Sequence, residues 1–168
     1  MGFFSKDIQN MSDLFLYTLK DIYYAEKRIT NTLPKMIDKA YDPELKSSFE
    51  THLSETEQQI IRLESIFRMC GVEAETETCP AIDGIIKETD NINSEIADQE
   101  VCDAALVAAA QAVEHYEITR YGTLVTWAKQ LGRGDCANLL QQTLEEEKKT
   151  DAKLTQLAEA KLNIRAVG

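Results

Sequence analysis

Apolar residues recur along most of the chain at alternating steps of three and four, the spacing that lines one face of an α-helix. Four seams follow from it. The first reads Phe15, Leu19, Ile22, Glu26, Ile29, Leu33, Met36, and the second Leu45, Phe49, His52, Thr56, Gln59, Leu63, Ile66. The third reads Val107, Ala110, Glu114, Glu117, Tyr121, Leu124, Ala128, and the fourth Ala137, Leu140, Leu144, Glu147, Asp151, Leu154, Ala158. No stretch sustains the period-two alternation of a strand. The punctuation agrees: Asp42-Pro43 opens a helix with a cap and an N1 proline, Gly71 closes it, Pro80 and Asp98 start two more, and Gly132-Arg133-Gly134-Asp135 is a turn with Asp135 as cap.

These boundaries predict long helices over about 12–40, 43–70, 99–131 and 135–162, the first bent at Pro34, and a shorter one over about 80–96. Two helical hairpins are thus joined by a crossover of about 28 residues. One long crossover between hairpins is the connectivity of a ferritin-like antiparallel four-helix bundle, here with an extra short helix and as a single domain. The fold class expected is all-α.

Composition narrows the function classes. Twenty-nine acids against 18 bases give a formal charge of −11 over 168 residues, which disfavours binding to a nucleic-acid backbone. The most apolar run, around Ala104–Ala112, is too short and alanine-rich to span a bilayer, and no signal peptide is visible, so a cytoplasmic protein is expected. Cys70, Cys79, Cys102 and Cys136 have no zinc or CxxC spacing and read as free thiols, with a redox role for Cys70 and Cys79 as the alternative.

What interrupts the seams carries the chemistry. Glu26 stands alone on the first; Glu114 and Glu117 form E-x-x-E on the third; Glu147 and Asp151 sit four apart on the fourth. His52 lies on the second seam, with Glu55 at its edge. Each interruption falls near mid-helix, so antiparallel packing brings them to one level. An acid alone on a seam is ordinarily a bundle-edge residue reaching water. Five at one height, with no Lys or Arg on the seams unless Arg62 or Arg120 reaches inward, need raised pKa values, a wet cavity or bound cations. Iron and manganese suit carboxylate oxygen with some imidazole.

The chain resembles the YciE/YciF family of bacterial ferritin-like stress proteins over nearly its whole length. The resemblance rests on Asp21-x-x-x-Ala25-Glu26, Leu33-Pro34-Lys35-Met36, His52-Leu53-Ser54-Glu55-Thr56, Val113-Glu114-His115-Tyr116-Glu117-Ile118, Tyr121-Gly122-Thr123-Leu124 and Thr143-Leu144-Glu145-Glu146-Glu147. It implies a homodimer and similarity to rubrerythrin. Against a rubrerythrin-like ligand pattern, Glu26, Glu114, Glu117 and Glu147 match. Asp151 replaces a histidine, and on the second helix His52 precedes Glu55, with Gln58 and Gln59 beyond it. The metal ligands expected are therefore Glu26, His52, Glu55, Glu114, Glu117, Glu147 and Asp151, holding two iron or manganese ions per chain.

Two classes of function follow. One is a peroxidase, catalase or ferroxidase acting on peroxide or oxygen, with Tyr23, Tyr116 and Tyr121 near the site. The other is a non-catalytic bundle or interaction protein in which the site is structural or vestigial.

Overall fold

The computed structural model describes residues 8–168. Six α-helices follow in order: α1 Met11–Lys39, α2 Pro43–Met69, α3 Pro80–Glu95, α4 Gln99–Gln130, α5 Gly134–Leu157 and α6 Asn163–Val167, the last two joined by a π-helical turn Ala158–Leu162. No strand occurs among the described residues. The four long helices pack as antiparallel hairpins α1–α2 and α4–α5, closed into a ring by α2 against α5 and α1 against α4. Crossover helix α3 lies over α4 and α1.

Every seam position named above is buried except Asp151, which is partly exposed. The four seams thus meet as one core, from Phe15 and Leu140 at one end to Met36 and Leu154 at the other. Burying such leucines and phenylalanines contributes about 1.5–3 kcal/mol each, which is what holds a bundle of modest helix propensity together. α3 adds Ile82 and Ile86 to this core from outside the ring.

The helix ends follow local rules. Asp42 accepts from the backbone N–H groups of Glu44 and Leu45, and Asp98 from those of Glu100 and Val101. Gly71 and Gly132 take φ of 70° and 71°, the left-handed conformation that ends α2 and α4. The cap expected at Asp135 is a correction: α5 begins one residue earlier, at Gly134, with Arg133 in the cap position and Asp135 inside the first turn. There Asp135 faces the Arg133 guanidinium at 3.5 Å. α1 runs through Pro34 without ending.

A second knot of charge fixes the opposite end. Asp103 at the start of α4 accepts from the backbone N–H groups of Tyr41 and Asp42, both at 2.8 Å. Buried Asp42 receives Lys161 at 2.6 Å and Arg165 at 3.0 Å. The π-helical turn inserts an extra residue per turn, which lets Leu162 stay in the core while Lys161 faces Asp42.

A candidate metal centre in the bundle core

Each wall of the ring sends one or two polar side chains inward at mid-height. Glu26 comes from α1, His52 from α2, Glu114 and Glu117 from successive turns of α4, and Glu147 from α5. All five are 3% exposed or less. Donor atoms of His52, Glu114, Glu117 and Glu147 lie within 4.8 Å of one another, a grouping that can hold a metal ion. Glu26 joins its edge through Glu117, close enough for the two carboxyls to share a proton.

These groups lack partners. Both nitrogens of His52, both oxygens of Glu114, Glu117 and Glu147, and Oε2 of Glu26 are buried without a hydrogen bond. His52 Nδ1 lies 3.2 Å from Glu114 Oε1, and Nε2 lies 3.8 Å from Glu147 Oε2, contacts that are ion pairs only if the imidazole is protonated. Two carboxylates exchange a hydrogen bond only when one carries the proton, so as anions the four repel. The second oxygen of Glu26 alone is satisfied, by the Tyr121 hydroxyl.

The electrostatics follow from burial. Desolvation first, and then the Glu147 charge, push the Glu26 carboxyl up to about 8, against an ordinary 4.5. Glu147 rises to about 7, again chiefly by burial. Burial and then Glu147 hold Glu114 and Glu117 well above the carboxylate range. His52 is driven down to about 4 by burial. Without a cation, burial thus draws protons to the carboxyls and leaves the imidazole neutral. Leaving so many buried polar atoms unpaired costs on the order of 1–3 kcal/mol each. A divalent cation removes that cost by taking the place of the protons, and a set of carboxylates with one imidazole suits manganese or iron better than a thiol-seeking metal.

Two expected ligands stand outside this group. Asp151 lies at the α5–α4 edge, where Oδ1 accepts from Gln111 at 3.2 Å and Oδ2 faces exposed His115 at 3.1 Å. Four residues advance slightly more than one helical turn, which carries Asp151 off the seam that Glu147 occupies. Glu55 is half-buried on the rim, 3.4 Å from the Thr150 hydroxyl. Gln59 is a further buried polar group of α2, beyond His52 and Thr56. Its Nε2 donates to Glu146 at 3.2 Å, while its carbonyl oxygen has no partner. Arg62 does reach across, bonding both oxygens of Glu146 and the Thr143 hydroxyl rather than the cluster itself.

Of the three tyrosines, only Tyr121 touches the cluster. Tyr23 donates to Glu64 at 2.9 Å, and Tyr116 donates to Asp21 at 2.6 Å while meeting the Cys79 thiol at 2.9 Å. Arg120 stacks over the Tyr116 ring and faces Asp21, so it too stays outside. Beside His52 an apolar cavity of about 20 Å³ opens among Ile29, Leu33, Met36, Ile86 and Val113, room for about one water-sized molecule.

Comparison with known proteins agrees with this architecture. The chain is 42% identical over 161 residues to Protein YciF of Escherichia coli (strain K12), covering 95% of this chain and 97% of that one. Its structure is similar to that of the E. coli stress protein YciF, with a TM-score of 0.86 at 43% identity over 95% of this chain and 98% of the other. It is also similar to YcfI from Rhodopseudomonas palustris, with a TM-score of 0.89 at 54% identity over 91% and 98%. Dps from Thermosynechococcus elongatus, at 19% identity and a TM-score of 0.66 over 88% and 91%, shares the ferritin-like fold. Residues 10–167 match the family described as Domain of unknown function (DUF892), and the chain belongs to that family.

Proposed function

We propose that this protein is a stress-associated, cytoplasmic ferritin-like bundle whose core binds two iron or manganese ions. The observation that carries the reading is the set of unpartnered oxygens and nitrogens of Glu26, His52, Glu114, Glu117 and Glu147, buried together at mid-bundle. His52, Glu114, Glu117 and Glu147 would hold one ion, and Glu26 with Glu117 would extend the site to a second. Such ions, when bound, supply the electrons for reaction with peroxide or oxygen.

The chain's own residues have separable tasks. Tyr121 fixes one oxygen of Glu26 and leaves the other to face the cluster. The apolar wall of Ile29, Leu33, Met36 and Ile86 keeps bulk water from His52 and holds the imidazole neutral, the form that ligates. Ala110 and Val113 leave space beside it for about one water-sized molecule.

The second reading is a metal that only braces the bundle. It is favoured by the thin contribution of α2, which sends one ligand to the cluster while Glu55 stays on the rim and Gln59 turns to Glu146.

Metal analysis of chelator-stripped protein titrated with Mn(II) or Fe(II) tests the proposal. About two ions per chain, lost in Glu26→Ala and Glu117→Ala, is the expected result. No retained metal together with an unchanged melting temperature would overturn it. A rise in melting temperature with no spectral response to peroxide would select the second reading. The homodimer that the family resemblance implies is checked separately by sedimentation equilibrium.

A further inference from the structure

The two cysteines that meet in the fold are not the two that lie close in sequence. Cys79 is buried against Tyr116, at the start of α3. Cys70 caps the C-terminus of α2, and Cys136 sits in the first turn of α5, so the ring brings both to one end of the bundle. Cys70 is a near neighbour of Cys136, close enough to raise the Cys136 thiol. One nitrogen of Arg133 stitches the junction: Nη2 donates to the Met69 carbonyl at 2.7 Å and reaches Cys136 Sγ at 3.5 Å. Beside them a pocket of about 260 Å³ opens, lined by Cys70, Arg133, Ser12, Phe15, Leu16 and Leu131.

We infer that Cys70 and Cys136 form a peroxide-driven, reversible disulfide that ties the end of α2 to the start of α5. The metal site plays no part in this, because this end of the bundle lies two or more helical turns from the carboxylate cluster.

The division of labour follows from exposure. Cys70 is half-buried and lines the pocket, so a peroxide entering there meets its sulfur first. Cys136 is fully buried, and that burial, together with the neighbouring Cys70 and Asp135, pushes its thiol up to about 12 despite Arg133. Cys70 is therefore the attacking sulfur and Cys136 the resolving one. In the first step Cys70 sulfur bonds the near oxygen of hydrogen peroxide, the O–O bond breaks, and the departing hydroxide leaves as water with the thiol's proton. In the second, Cys136 sulfur bonds the sulfur of the Cys70 sulfenic acid, the S–O bond breaks, and the hydroxide departs as a second water with the Cys136 proton. Two thiols give up two electrons, and one peroxide becomes two waters. Arg133, held beside Cys136 by the Met69 carbonyl, favours the anionic sulfur during the second step.

The test uses the reduced full chain, with a chelator present to silence metal-driven oxidation. It is treated with one equivalent of hydrogen peroxide, then assayed by thiol titration and by peptide mapping without reductant. The expected result is loss of two of the four thiols. It comes with a mass decrease of about 2 Da and one cross-linked peptide joining Cys70 to Cys136, all reversed by dithiothreitol. Cys79→Ser and Cys102→Ser should leave this unchanged. Cys136→Ala, which keeps the buried site apolar, should stop the reaction at a Cys70 sulfenic acid trapped by dimedone. Four surviving thiols, a bridge from Cys70 to Cys79 or Cys102, or dimedone labelling of Cys136 in place of Cys70 would each overturn the inference.

Discussion

Replacing Glu26 by glutamine should make the metal-free protein more stable, and more so the higher the pH. The side chain is fully buried, and its carboxyl is raised from 4.5 to about 8 by desolvation and then by the Glu147 charge. A tenfold change in proton affinity is worth about 1.4 kcal/mol, so the ionised form costs about 5 kcal/mol in the folded chain. Because the folded value lies above the unfolded one, the stability contributed by the neutral acid is intact below about pH 4.5 and is lost as the pH climbs through about 8. Linkage gives a loss of about 4 kcal/mol at about pH 8 and about 1 kcal/mol at about pH 5. Glutamine keeps the shape, keeps an oxygen for the Tyr121 hydroxyl, and carries no charge at either pH. His52 acts with the opposite sign. Lowered to about 4, it contributes stability above about pH 6.5 that is lost as the pH falls through 4, equally in both proteins, so it cancels. The assay is urea unfolding followed by circular dichroism on chelator-treated protein at the two pH values. Manganese at about a hundredfold excess over its Kd should then add about 3 kcal/mol to the wild type and far less to Glu26→Gln, closing most of the gap between them at about pH 8. Two metal-free proteins of equal stability at about pH 8, or a difference that does not grow with pH, would refute the reasoning.

Metal binding should release protons, since burial in the metal-free state raises the proton affinity of Glu114 and Glu117 and a bound cation reverses that. Indicator-dye titration with Mn(II) in weak buffer reads this directly, and apparent affinity should rise with pH. Tyr121→Phe should cost about 1–3 kcal/mol in thermal unfolding by stripping the buried Glu26 oxygen of its only partner. Asp151→Asn should leave metal stoichiometry unchanged where Glu117→Gln abolishes it, as read by elemental analysis, because Asp151 is engaged with Gln111 and His115 at the edge. Asp42→Ala should cost about 1–3 kcal/mol and speed amide hydrogen exchange over 158–167, since it removes a cap and the buried acceptor of Lys161 and Arg165 together.

The fold was legible because bundle seams are a local property. A step of three or four fixes which residues share a face, and all seam positions but one are buried. Asp151 fails where the rule is weakest: four residues overshoot a turn, so an acid can be drawn to the neighbouring helix by Gln111 and His115 without breaking the pattern. Mid-helix height was enough to gather Glu26, His52, Glu114, Glu117 and Glu147. It was not enough to say that Glu55 would stay on the rim, because a position beside a seam has two equally periodic placements. The pairing of Cys70 with Cys136 was invisible, since nothing local couples the last turn of one helix to the first turn of another a crossover away. Nearness in sequence pointed instead to Cys79, which the fold turns towards Tyr116.

The charge knot around Asp42 bears on the order in which the chain can be completed. The carboxylate that caps α2 emerges early in synthesis, but its guanidinium partner, Arg165, is made 123 residues later. Until then the first hairpin carries an acid in its turn that burial would strand, so this hairpin has reason to stay open at that end. The last helical turns act as a clasp, fastened only once both hairpins are present. A chain stopped before Lys161 would release from the ribosome with its two halves docked at the cysteine end and loose at the other.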